Sequence, residues 1–150
     1  MILLDTSVFI ASFIKEHIHH SCSIELISQV YKKKYKACVS PHVLAECYAT
    51  LTVIPQKESL STADVLVILR KYILDCFQII PLNEDDYRKA LDCVASKNLK
   101  SGSIFDALIF QTAVKVKVDS LITWNTKHFN RFLSENMNEI KVMTPSGFLG

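Results

Sequence analysis

Glycine and proline are scarce, with three glycines and four prolines in 150 residues. That excludes a flexible linker, and neither low-complexity segments nor internal repeats are present. The five cysteines (Cys22, Cys38, Cys47, Cys76 and Cys93) are odd in number and include no C-x-x-C pair. The spacing argues against both a disulfide framework and a zinc site. Cys47 and Cys93 fall in helical patterns among apolar residues, so reduced core thiols and a cytoplasmic location are expected. No uninterrupted apolar run reaches membrane-spanning length. The opening MILLDTSVFI is broken by Asp5 and has no basic residues before its apolar run, so it is not expected to be a signal peptide. The net charge of +2 is too small to demand a nucleic-acid partner and too basic to exclude one.

What is present suits an ordinary globular chain: 49% of residues are hydrophobic and 21% charged. At this length one domain spanning residues 1–150 is expected. Short apolar runs alternate with helical patterns. Strands are expected at 1–4, 37–40, 76–80, 119–123 and 140–144. Helices are expected at 7–14, 20–34, from Pro41 to Pro55, from Ser61 through Ile73, from Asn83 to Ser96, and at 104–117 and 126–133. Inward stripes read as Ile24, Ile27, Val30, Tyr31; Leu44, Cys47, Tyr48, Leu51; Leu66, Leu69, Ile73; and Tyr87, Leu91, Val94. The alternation predicts an α/β fold with a mainly parallel central sheet and helices on both faces.

One stretch poses a problem. In SGSIFDALIFQTA, Asp106 lies in a helical run with almost no polar face. A carboxylate there is costly unless it is paired or binds a cation. Open parallel sheets bind ligands at the carboxyl ends of their strands. Asp5 follows the first strand, Glu46 lies in the second turn of the helix after the second, Asp106 opens its helix, and Asn125 follows the fourth. Each also has a plain explanation. Asp5 can cap a helix, Glu46 can be solvated, Ser103 and Asp106 have the spacing of a capping box, and Asn125 suits a turn. Together, three carboxylates would raise one another's pKa values, and a hard divalent cation resolves that conflict. The hydroxyls of Thr6 and Ser7 can support such an ion or cap the first helix.

MILLDTSVFI, SPHVLAECYATLT, GSIFDALIFQTA and LITWNTKHF, in this order along the whole chain, resemble the PIN domain family. Within it, the chain is similar to the VapC-type toxins of toxin–antitoxin pairs. The resemblance implies a PIN-like three-layer fold and a Mg2+- or Mn2+-dependent endoribonuclease. It carries Asp5, Glu46 and Asp106 over as acidic metal ligands and Asn125 as a neutral fourth group. Thr6 and Thr123 fall at supporting hydroxyl positions. Because Asn125 makes the site one charge weaker than a four-carboxylate version, a second tightly held metal is in question. The implied mechanism is in-line attack of metal-activated water on an RNA phosphodiester. The implied partners are an RNA substrate, a small antitoxin and a second copy in a homodimer, with no membrane.

Other features have simpler readings. His17, His19 and His20 suit a solvated loop or helix start. KKKYK at 32–36 suits a cationic helix end. Trp124 reads as packing rather than a base platform, and His128 as a surface histidine. Glu84, Asp85 and Asp86 suit a helix start, and Asp119 a turn. The apolar residues of 61–74 suit a helix buried on more than one face. A catalytically silent PIN-like RNA- or protein-binding module is the alternative, against which the intact acidic set argues. A haloacid-dehalogenase-type phosphatase wants a second aspartate where Ser7 stands, and flap-cutting nucleases usually carry extra helical elements that this chain lacks.

Overall fold

The computed structural model describes residues 1–54, 60–133 and 140–150. Five strands form one parallel sheet: β1 (Ile2–Leu4), β2 (Ala37–Val39), β3 (Gln78–Ile79), β4 (Ser120–Ile122) and β5 (Lys141–Met143), in the order β3-β2-β1-β4-β5. β1 is central because MILL is apolar throughout, and its three residues are buried. Connections to β2 and β3 run one way from β1, and those to β4 and β5 run the other. Right-handed crossovers in opposite directions put helices on both faces. The point where direction reverses lies between β1 and β4, where open α/β sheets bind ligands.

The helices are α1 (Thr6–Phe13), α2 (His20–Tyr31), α3 (Pro41–Leu51), α4 (Thr62–Leu69), α5 (Glu84–Ser96), α6 (Ser103–Val116), α7 (Thr126–Asn130) and α8 (Pro145–Leu149). A π-helical turn, Arg70–Leu74, extends α4. Ser40 caps α3 ahead of Pro41, and Ser61 and Asn83 each close a capping box. α8 was not expected; Thr144 before Pro145 caps it by accepting from the Gly147 amide. The Pro55 boundary lies outside the described residues.

The core is built on Leu3, Leu4, Phe9, Leu26, Leu121 and Ile122, all fully buried. Phe9 meets Phe77 edge to face with ring centroids 5.1 Å apart. The expected stripes are displaced. α3 buries Val43, Cys47 and Leu51, while Tyr48 is exposed. α4 and its π turn bury Val65, Leu69 and Ile73 on one face only, and Leu66 and Val67 face solvent. In both, one i, i+4 ridge packs inward and its apolar neighbours flank it. α2 buries Leu26, Ile27 and Val30 but exposes Ile24 and Tyr31. α5 buries Asp86 and Ala90 rather than Tyr87 and Leu91, because it packs mainly on α6. There Asp86 meets the Lys115 ammonium at 2.6 Å, which holds its carboxyl below the usual range.

Glu84, Asp85 and Asp86 open α5, as expected; α2 ends at Tyr31 rather than at 34, so KKKYK lies just past it and puts no basic residue in its last turn. Asp119 continues the sheet ladder rather than shaping a turn: its amide donates to the Met1 carbonyl and its carbonyl accepts from Lys141. All five cysteines are free, with Cys38 and Cys47 in the core and Cys76 exposed. Among the described residues, no helix is long and apolar enough to cross a membrane.

Candidate functional site

Asp5 leaves β1 at its carboxyl end, where its amide donates to the Ile122 carbonyl of β4 at 3.0 Å. This bond places Asp5 at the reversal point. Its Oδ2 accepts three hydrogen bonds: from the Ser7 amide (3.3 Å), the Ser7 hydroxyl (2.7 Å) and the Thr123 hydroxyl (2.7 Å). Asp5 thus caps α1, and its Oδ1 takes none of these bonds. Burial pushes its pKa up, against the pull of the Ser7, Thr123 and backbone hydrogen bonds.

Thr123 is fully buried after β4, and its oxygen also accepts from the Asn125 amide at 2.9 Å. Through it the β4 exit is tied to Asp5. Thr123→Val keeps the shape and loses the hydroxyl. We expect a loss of about 1.5 kcal/mol in stability, read from the urea midpoint with an unchanged slope. Thr123→Ser retains the bond, so an equal loss in that variant would contradict the assignment.

Glu46 reaches in from α3 and accepts from the Thr6 hydroxyl at 2.6 Å. Burial raises its pKa, and Asp5 and Asp106 push it the same way while Thr6 opposes them. Asp106 sits in the first turn of α6, where burial and Asp5 raise its pKa and His128 and Arg131 pull it down. The capping box that the spacing of Ser103 and Asp106 allows does not form. Gly102 occupies the cap position without a side-chain bond, and the Asp106 carboxylate is turned toward His128 Nδ1 (3.3 Å) and Arg131 Nη2 (3.6 Å).

Asp5, Thr6, Ser7, Glu46, Asp106 and Asn125 line one cavity of about 510 Å3. The sequence-derived set thus converges, with Thr123 directly beneath it. His17, Ile18, His19 and Trp124 form further wall. The histidine segment is a loop and helix start, as expected, with His20 opening α2, and it also walls this cavity. The His19 ring lies flat on Trp124, with centroids 3.8 Å apart and planes at 7°, and the indole donates to the Ser23 hydroxyl at 2.9 Å. His128, expected as a plain surface residue, partners Asp106. Arg131 is not singled out by the sequence; its signal is a cation three residues after His128, in the segment that follows Asn125.

The residues suit a hard divalent ion in type. The donors are oxygens from three carboxyls, an amide and hydroxyls. Among the described residues, no three His, Cys, Asp or Glu side chains converge closely enough to hold an ion directly. An ion that keeps several waters and takes few carboxylates, as Mg2+ does, meets that spacing.

The PIN domain family model matches residues 2–132. This chain belongs to the PIN domain family. No curated protein matches the sequence. Among solved structures, the PIN domain is similar to FitAcB from Neisseria gonorrhoeae, with a TM-score of 0.69 and 18% identity over 97% of this chain and 99% of that one. It is similar to VapBC2 from Rickettsia felis bound to a promoter DNA fragment, at TM-score 0.62 and 22% identity, covering 96% and 98%. It also resembles Mycobacterium tuberculosis VapC20, described as a sarcin-ricin loop cleaving toxin, at TM-score 0.64 and 19% identity, covering 81% and 87%. At such identities these likenesses establish the fold of the PIN domain, a parallel sheet layered with helices.

Proposed function

We propose that this PIN domain is a Mg2+- or Mn2+-dependent endoribonuclease and the toxin of a VapBC-type pair. The observation that carries the reading is the convergence of Asp5, Glu46, Asp106 and Asn125 on one cavity at the reversal point of the sheet. The toxins among its structural neighbours support it.

A hydrated ion held by few of the carboxylates of Asp5, Glu46 and Asp106 would supply an activated water and offset charge on the phosphodiester. The protein's part is orientation. Ser7 and Thr123 fix the orientation of Asp5, one of the residues that would hold the ion, through Oδ2. Thr6 fixes Glu46, whose raised pKa suits a carboxylate that orients the water or takes its proton. Asn125 adds a neutral polar group, which favours one tightly held ion over two.

Arg131 sets the opposing charge, 3.6 Å from the Asp106 carboxylate. Arg131→Ala removes a cation that competes for Asp106. Divalent-ion affinity should then rise about fivefold, the effect of roughly 1 kcal/mol of repulsion near a surface, in Mn2+ calorimetry. Affinity that is unchanged or weaker would show that Arg131 does not sit against Asp106 in solution.

The exposed apolar residues Leu66, Val67 and Leu74 suit a homodimer contact, which light scattering on a sizing column tests. A small antitoxin is the proposed inhibitor, and the free thiols suit a cytoplasmic site of action. The reaction itself is tested on a mixed RNA pool. Attack by water yields no 2′,3′-cyclic phosphate ends and tolerates a 2′-deoxy substitution at the cut. Cyclic ends would contradict the mechanism. Tight RNA or protein binding without cutting under either ion would favour the silent-module alternative.

A further inference from the structure

A second cavity of about 350 Å3 lies beside the acidic one. Thr6 and Glu46 line both, so this hydrogen-bonded pair divides two adjoining spaces. The second space has different chemistry. Its other walls are His42, Ala45, Ala49, Thr50 and Phe105. Ala45 and Ala49 are one turn apart on α3, small and exposed. Phe105 is 46% exposed, an unusual setting for a phenyl ring immediately before a site carboxylate. His42 is held by the Tyr87 hydroxyl at 3.0 Å, which fixes a polar edge on the same wall.

A flat apolar face, a floor of small side chains and a fixed polar edge match a nucleobase. Sequence-selective RNA recognition works on unpaired bases splayed onto aromatic rings. We propose that this second cavity is a nucleobase subsite, taking the base of a nucleotide next to the scissile phosphate in single-stranded RNA, with Phe105 as its stacking face. The inference rests on the ribonuclease reading of the adjoining cavity and adds what that reading lacks, a source of sequence preference.

The test is anisotropy of fluorescein-labelled short oligoribonucleotides of A, C, U and alternating G-U, with Ca2+ replacing Mg2+ and intact RNA confirmed on a gel. Phe105→Ala removes the ring, and Ala49→Leu fills the space from an exposed helical position. Each should weaken the best-bound oligonucleotide about tenfold, within the range for loss of one base stack. Phe105→Tyr should keep wild-type affinity, and Mn2+ binding by calorimetry should be unchanged in all three. Should Phe105→Ala fail to fold, Ala49→Leu carries the test. Wild-type binding that both variants match overturns the subsite and leaves the nuclease reading standing. Wild type that binds none of the oligonucleotides overturns both.

Discussion

Asp5→Asn should reduce metal-dependent RNA cleavage by about a thousandfold or more while leaving the fold at least as stable as wild type. Both halves follow from one geometry. The Asp5 carboxylate is buried, and burial pushes its pKa up. It also raises the pKa values of Glu46 and Asp106. Its charge is a cost to the folded protein. The three bonds from Ser7 and Thr123 all reach Oδ2. An asparagine oxygen can accept all three, and its amide nitrogen, which does not ligate a cation, then replaces the second carboxylate oxygen. The substitution removes charge repulsion without orphaning a donor, so function is lost and stability is not, the usual trade-off at a charged site. Activity assays and thermal melts on the same preparation check it. A variant that cuts normally contradicts the role of Asp5, and one that melts far below wild type contradicts the account of its charge.

The second prediction concerns ion and pH together. A carboxyl whose pKa is raised by folding binds more protons folded than unfolded, so stability falls as pH rises. For Asp5, Glu46 and Asp106 the loss begins near the ordinary values of 3.8 and 4.5 and is complete once pH passes the raised folded values. Asp86, held low by Lys115, has the opposite sign, and its contribution is lost as pH falls. The site's share is therefore read as the difference between wild type and Asp5→Asn across the range. A divalent ion binding only the folded, ionised site should reverse it. At a hundredfold excess over Kd the gain is about 2.7 kcal/mol, larger at pH 8 than at pH 5. Melting curves that ignore Mg2+ at pH 8, or that shift equally in Asp5→Asn, would contradict a cation site made by these carboxylates.

Much of this cavity's lining is legible in the sequence. Asp5, Glu46 and Asn125 stand out because each sits just past a strand or early in the helix after one, and a parallel sheet gathers those places at one edge; Asp106 opens α6, which follows α5 rather than a strand, and stands out as a carboxylate in an apolar run. Backbone pattern carries that information. What it does not carry is rotation. Periodicity on α3 showed an apolar helix but not that Val43 rather than Leu44 turns inward, since both lie on the same broad stripe. On α5, Asp86 is buried because Lys115 of α6 meets it, a long-range pairing that local spacing does not encode. The same limit explains the capping box. Ser103 and Asp106 have the right spacing, yet His128 and Arg131 draw the carboxylate away from the helix end. His19 on Trp124 joins residues more than a hundred positions apart, and only the packed chain brings those rings together.

The most direct test of the central claim is cleavage of a mixed RNA pool by wild type and Asp106→Asn, side by side, with Mn2+ or Mg2+ and then with a chelator. Circular dichroism on both proteins establishes that they are folded. The account predicts cutting by wild type only when the ion is present, and none by the folded variant. Cutting that persists in Asp106→Asn, or that survives the chelator, would place the activity outside this cavity.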